Sequence, residues 1–120
     1  MKKKTIFVDF DKTLAYHEKG WGIKKIGGPV HRMLDRVKTW INEGHKVVIF
    51  TARVSHDEKT NEQQRRNLYE WFEEQGLPKL EITALKTADA DEFWDDKAKS
   101  VDVNTGKAVA FVEGVTQYYL

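Results

Sequence analysis

Four aspartates follow apolar runs in this sequence, at positions where burial would bring their charges close together. Asp9 and Asp11 end the stretch IFVDFD, and Asp95 and Asp96 end the stretch EFWDD. Two like charges about 4 Å apart repel by roughly 4 kcal/mol at an effective dielectric constant of about 20. Carboxylates at one site therefore need a cation, and ligands that are all oxygen favour Mg²⁺ over zinc or copper. The pattern predicts a magnesium site built from these four residues.

A hydroxyl and an ammonium group accompany the aspartates and indicate what else binds. Thr51 ends the apolar run VVIFT, and Lys86 follows the run LEIT. A hydrogen-bond donor, a positive charge and a hard metal suit a phosphoryl group, whose transfer requires mainly positioning and charge neutralisation. A carboxylate can itself attack phosphorus. Because residues i and i+2 of a strand face the same side, Asp9 and Asp11 could reach one substrate, where one attacks and the other handles the leaving oxygen's proton.

Strands that alternate with helices must position these side chains. Apolar, β-branched runs predict five strands, at 5–10, 46–51, 80–83, 92–96 and 108–112. The first is apolar on both faces, which predicts a central strand. We therefore expect an α/β fold, a Rossmann-like three-layer sandwich with a central parallel five-stranded sheet covered on both faces. Ligands of such sheets bind at the carboxyl ends of the strands.

Two amphipathic segments supply the expected helices, at 29–44 and 55–76. Pro29 suits the first helical position, and Gly44 and Gly76 suit the helix ends. Residues 14–28 are rich in glycine and lack clear periodicity. We call this segment the flap and expect it to be a loop or a small hairpin over the site.

Composition limits the class of protein. The chain has 120 residues, a length that predicts one domain over 1–120. Twenty basic residues against 19 acidic ones give a net charge of +1, too balanced to indicate nucleic-acid or membrane binding from charge alone. The sequence has no cysteine, which fits a reducing compartment, and no apolar run of membrane-spanning length. We therefore expect a cytoplasmic protein without a membrane partner.

The polar motifs together resemble those of the haloacid dehalogenase superfamily. DFDKTLA resembles its DxDxT signature, VVIFTAR its second motif, Lys86 the third and WDDKA the acidic fourth. The four occur in the family's order and span residues 5 to 106. The chain looks in particular like small members without a cap domain from bacterial and phage genomes, most of which are predicted phosphatases.

The resemblance implies a role for each matching residue. Asp9 would be the nucleophile and a metal ligand, and Asp11 the general acid/base, with its backbone carbonyl also on the metal. Asp95 and Asp96 would hold Mg²⁺ directly or through water. Two residues would bind the phosphoryl group: Thr51 and Lys86. Lys86 would also orient Asp9, and Thr13 would support the motif.

Two departures from the family pattern affect the expected substrate. Lys12 stands where glycine is commoner, and it could lie near the substrate. The flap is too short for a cap domain, so the site should be open. An open site admits a small phosphomonoester, such as a nucleotide or sugar phosphate, or the 3′-phosphate of a nucleic-acid end.

Several assignments stay open at the level of sequence. Arg53 could reach a substrate phosphate or be a surface or helix-flanking charge, and Lys79 could replace Lys86. Tyr16, His17 and Trp21 of the flap could stack on a substrate ring or pack against the domain. An idle domain that binds a phosphorylated ligand or a partner protein is one alternative function. A receiver-like phosphoacceptor domain is another, although the strand KVVIFT lacks the aspartate that it requires.

Overall fold

Four short strands form a parallel sheet at the centre of the molecule. The computed structural model describes residues 2–112 and 115–119, with side chains over 2–109. The strands are β1 (Thr5–Asp9), β2 (Lys46–Phe50), β3 (Glu81–Thr83) and β4 (Glu92–Trp94). They lie in the order β3-β2-β1-β4, and each pairing is parallel. β1 is therefore an interior strand, as its apolar faces predicted, and its carboxyl end lies between those of β2 and β4.

The predicted fifth strand forms but does not join this sheet. It is β6 (Ala108–Val112), in a separate antiparallel sheet with β5 (Ser100–Val101) and β7 (Val115–Tyr119), a strand that was not predicted. A parallel partner needs a crossover of about a dozen residues, usually a helix. The segment between β4 and β6 contains β5 and a turn instead, so β6 folds back on β5. The prediction of a five-stranded parallel sheet is therefore wrong, and the sheet has four strands.

Two helices cover the sheet, and both begin later than predicted. They are α1 (His31–Asn42) and α2 (Glu58–Glu74). Val30 is the extended N-cap of α1, and its backbone N–H donates to the Leu14 carbonyl at 2.8 Å, so Pro29 lies before the helix. Asp57 caps α2, because its carboxylate accepts the Thr60 backbone N–H at 2.9 Å.

The helices end where glycine was predicted to end them. The residue after each C-cap is a glycine in the left-handed region, with φ 89° at Gly44 and φ 75° at Gly76. A short 3₁₀ helix, Ala52–Val54, lies between β2 and α2. Because this turn directly follows β2, it lies at the same sheet edge as the aspartates.

One core cluster joins both helices to the sheet. It contains alternate residues of β1, such as Ile6 and Val8, together with Leu34 of α1 and Leu68 of α2. Phe7, which points to the opposite face, packs edge-on against Phe93 with ring centroids 5.3 Å apart. The connection between β3 and β4 (84–91) contains no helix among the residues described. Both helices therefore pack against the sheet through this one core cluster.

Candidate active site

Three carboxylates meet at the carboxyl ends of β1 and β4. Asp9 is the last residue of β1, and Asp95 and Asp96 directly follow β4, its neighbour in the sheet. One oxygen from each lies within 4.8 Å of the others. The buried Thr13 hydroxyl lies 3.3 Å from Asp9 Oδ2 and 3.4 Å from Asp96 Oδ1, and it accepts the Asp96 backbone N–H at 3.1 Å. Parallel pairing of distant segments therefore builds the cluster, and Thr13 joins its two halves.

The closeness of these charges changes the ionisation of Asp9. Its pKa is raised from the ordinary 3.8 to about 7, first by burial, then by a hydrogen bond with Asp96 and the charges of Asp95 and Asp96. The hydrogen bond from Thr13 acts in the opposite direction. At neutral pH the cluster is therefore stabilised by a proton or by a cation. Three carboxylate oxygens suit a hard divalent ion, so Asp9, Asp95 and Asp96 could hold Mg²⁺.

Asp11 lies beside the cluster, but its charge is balanced by Arg53. β1 ends at Asp9, and Asp11 lies beyond it in an isolated bridge with Ala15. The Asp11 carboxylate accepts from Arg53 Nε at 2.9 and 3.2 Å and from Arg53 Nη2 at 2.9 Å. The expected cluster of four carboxylates is thus a cluster of three. A two-pronged, charge-assisted pair offsets the burial of Asp11 instead of a metal.

Arg53 lies in the short helix before α2, and its side chain is buried. It is 1% exposed, so the interpretation as a surface charge is wrong. Besides Asp11, its guanidinium donates to the carbonyls of Ile23 and Lys25 and to Gln64 Oε1, at 3.1, 2.7 and 3.4 Å. These contacts use all five of its N–H donors. A substrate phosphate would have to break one of them, so the structure gives Arg53 a role in the protein's own framework.

The aspartates open onto a cavity of about 360 Å³. Its lining includes Asp9, Asp11, Thr51, Asp95 and Asp96, so five of the residues expected at the site share one space. Thr51 directly follows β2 and is 2% exposed. Its hydroxyl oxygen accepts the Arg53 backbone N–H at 3.2 Å. The hydroxyl proton can therefore donate to an oxygen in the cavity.

Two lysines that were not predicted as phosphate ligands line the cavity. Lys12 and Lys97 belong to its walls. Each directly follows a site aspartate in the sequence, which is the signal that could have found Lys97. Lys12 has a φ of 70°, in the left-handed region that favours glycine. Both are exposed and place positive charge near the carboxylates.

Lys86 lies at the edge of the carboxylate cluster. Its Nζ is 3.5 Å from Asp95 Oδ2 and lies over the rings of Phe50 and Phe93, 5.1 and 5.5 Å from their centroids. Lys79 instead lies over the ring of Tyr69 in α2, 4.6 Å from its centroid. Of the two candidate lysines, the structure places Lys86 near the aspartates. Its ion pair is with Asp95, and among the described residues the cavity lining does not include it.

The flap contributes one more residue to the cavity. His17 lines it, with Nδ1 3.4 Å from Asp11 Oδ1, and this buried nitrogen has no hydrogen-bond partner among the residues described. The ring packs edge-on against Trp21 at 5.5 Å, and Tyr16 packs on the same indole at 6.1 Å. Tyr16 and Trp21 therefore pack within the flap, whereas His17 faces the site.

Comparison with known proteins defines the fold and no more. No family model and no curated protein matches the chain. A solved structure of similar fold is that of a conserved protein coded by a locus of Bacteroides thetaiotaomicron. It is 21% identical, with a TM-score of 0.58, and the match covers 81% of this chain and 78% of that one. At this identity the likeness shows a common α/β fold with a parallel sheet flanked by helices.

Neither helix in the described part of the chain has the length and apolar character that crossing a bilayer requires.

Proposed function

We propose that the protein is a Mg²⁺-dependent phosphomonoester phosphatase of the haloacid dehalogenase type, which acts through an aspartyl-phosphate on Asp9. The observation that carries the proposal is the carboxylate cluster of Asp9, Asp95 and Asp96, whose oxygens lie within 4.8 Å of one another. The cluster opens onto the same cavity as the Thr51 hydroxyl. A metal site beside a hydroxyl and positive charge is the arrangement that phosphoryl transfer uses.

The proposed reaction has two steps, transfer of the phosphoryl group to Asp9 and hydrolysis of the aspartyl-phosphate, and Asp9 and Asp11 are the side chains that take part in both. A carboxylate oxygen of Asp9 bonds to phosphorus while the bond from phosphorus to the leaving oxygen breaks. Asp11 gives that oxygen a proton carried on its Oδ2, while its Oδ1 keeps the bonds from Arg53 Nε and Nη2. Water then attacks phosphorus and loses a proton to Asp11. Asp9 leaves as a free carboxylate together with inorganic phosphate. Mg²⁺ held by Asp9, Asp95 and Asp96 would supply charge neutralisation for the phosphoryl oxygens.

Binding of the phosphoryl group falls to the neutral and cationic groups around the cavity. Thr51 donates its hydroxyl proton, and Lys12 and Lys97 supply positive charge from the walls. Lys86 adds a charge beside Asp95. Thr51 and Lys86 keep the role that was predicted for them. Because Arg53 donates its N–H groups to partners within the protein, Lys12 and Lys97 are proposed in its place.

The substrate class follows from the size and openness of the site. A cavity of about 360 Å³ at the surface accommodates a small phosphomonoester, such as a nucleotide or a sugar phosphate. Because the flap is too short to form a cap, the 3′-phosphate of a nucleic-acid end is a second candidate. The cytoplasm is the compartment that we propose for either substrate.

Hydrolysis of p-nitrophenyl phosphate with and without Mg²⁺ tests the proposal. We expect activity that EDTA abolishes and that Asp9→Asn lowers by at least about a thousandfold, as for other lost nucleophiles. Asp35→Asn, an exposed aspartate of α1, is the matched control and should keep full activity. Acid quenching during turnover of a radiolabelled phosphate ester should trap label on the wild type only.

Other outcomes would identify the alternative functions. Label that stays on the protein for hours indicates a receiver-like phosphoacceptor. Failure across metabolite phosphates and 3′-phosphorylated oligonucleotides, together with measurable binding of one of them, indicates a domain without catalysis. Full activity of Asp9→Asn would refute the aspartyl-phosphate mechanism.

A further inference from the structure

Buried side chains hold the flap against the rest of the domain. Three alternate backbone carbonyls of the flap accept hydrogen bonds from side chains that are at most 6% exposed. The bonds are Arg53 to Ile23 at 3.1 Å, Gln64 to Ile23 at 3.2 Å, Arg53 to Lys25 at 2.7 Å and Trp71 to Gly27 at 2.9 Å. Three buried side chains, one from the turn after β2 and two from α2, therefore hold this part of the flap.

We call Arg53, Gln64 and Trp71 the clamp, because they bind the flap carbonyls. Arg53 connects the clamp to the proposed active site. The guanidinium group that donates to the flap carbonyls also donates to both carboxylate oxygens of Asp11. Gln64 in turn accepts from Arg53 Nη1 at 3.4 Å and donates to the flap. Opening the flap would break the two bonds from Arg53 to the flap carbonyls and the bond from the Gln64 amide, and the loss of these bonds favours the closed arrangement.

We propose that Arg53 is a positioning residue that fixes the Asp11 carboxylate and the flap in one arrangement. The flap is then a permanent wall of the cavity and not a lid that opens at each turnover. The effect on turnover rests on the proposed phosphatase function. The clamp itself does not, so the two can be tested separately.

Flap opening is measured by limited trypsin digestion, because Lys24 and Lys25 are exposed cleavage sites inside the flap. Gln64→Met removes both bonds of the buried amide at similar volume. We expect it to speed the first cleavage at these lysines, identified by mass spectrometry, by about tenfold. The matched control is Gln63→Met, the exposed neighbour whose amide bonds only to Asn67 and Arg66 among the described residues. The control should be cleaved like the wild type.

Positioning of Asp11 is measured by its side-chain carboxyl carbon resonance, which needs no catalytic activity. Arg53→Lys keeps a positive charge but offers three donors instead of five. We expect the resonance to move in Arg53→Lys and in Gln64→Met, and to stay in place in Gln63→Met. With p-nitrophenyl phosphate as substrate, the kcat of Arg53→Lys and of Gln64→Met should fall by about tenfold, while KM changes by less than about twofold.

Two results would overturn the inference. One is a wild-type flap cleaved as fast as a free peptide of the same sequence. The other is a Gln64→Met variant that matches Gln63→Met in cleavage and in the Asp11 resonance. If the wild type hydrolyses no phosphate ester, the proposed function fails, and the cleavage and resonance experiments still decide whether the clamp exists.

Discussion

Replacing Asp9 by asparagine should stabilise the protein when no divalent ion is present. Asp9 lies among the carboxylates of Asp95 and Asp96, and burial together with these charges raises its pKa from 3.8 to about 7. Between these two values the folded state binds more protons than the unfolded state. The free energy of unfolding of the wild type therefore falls as the pH rises through that window and stays low above it. Asp9→Asn removes the charge and with it this pH dependence.

The size of the effect follows from the pKa. The interval from 3.8 to about 7 corresponds to about 4 kcal/mol at about 1.36 kcal/mol per pH unit. Asp9 is only partly buried, so solvent screening reduces the effect to about 2 kcal/mol. For a chain of 120 residues, 1 kcal/mol shifts Tm by about 4 °C. Asp9→Asn should therefore raise Tm by about 8 °C at pH 8 in EDTA.

Thermal unfolding of the two proteins at pH 4 and pH 8, with EDTA or with Mg²⁺, measures this. At pH 4 the difference in EDTA should be small, because Asp9 is protonated in the folded wild type. At pH 8, Mg²⁺ at about a hundred times its Kd should stabilise the wild type by about 2.7 kcal/mol. It should stabilise Asp9→Asn much less, because the variant has lost one charged ligand. Asp35→Asn, outside the site, should follow the wild type throughout.

The reasoning is refuted if Asp9→Asn is less stable than the wild type at pH 8 in EDTA. It is equally refuted if Mg²⁺ raises the Tm of both proteins by the same amount. Either result would mean that Asp9 is not held among mutually repelling carboxylates that a cation relieves.

Two further predictions concern backbone positions. Gly27→Ala should destabilise the flap, because a Cβ at Gly27 would collide with the Tyr16 carbonyl, whereas the space at Gly28 is open. Trypsin should therefore cleave the flap of Gly27→Ala faster than that of Gly28→Ala, and equal rates would contradict the packing. Lys12→Gly should raise the free energy of unfolding by about 1 kcal/mol, because Lys12 has a φ of 70°. Urea denaturation measures this, and a loss of stability would show that the Lys12 side chain makes stabilising contacts.

The elements next to the site could be predicted because their signals are local. The apolar faces of β1 and the amphipathic stripe of α1 are periodic within a few residues, and glycines end both helices. The strand ends then place Asp9 near Asp95 and Asp96, since neighbouring parallel strands end at one edge. The sheet that β6 joins could not be predicted from its apolar character. A strand pairs in parallel only if the chain before it forms a crossover connection, and the segment before β6 forms β5 and a turn instead.

The sequence alone therefore predicted the aspartates at the ends of β1 and β4, the threonine after β2, and the order of the helices and strands between them. These features depend on neighbouring residues and on the alternation of side chains along a strand. Only the tertiary structure decided that Arg53 neutralises Asp11, that Gln64 and Trp71 hold the flap, and that Lys12 and Lys97 line the cavity. Each of these contacts joins segments far apart in the chain or depends on a side-chain direction. A buried guanidinium such as that of Arg53 must find hydrogen-bond acceptors among the groups that packing brings near it, and no spacing in the sequence specifies those groups.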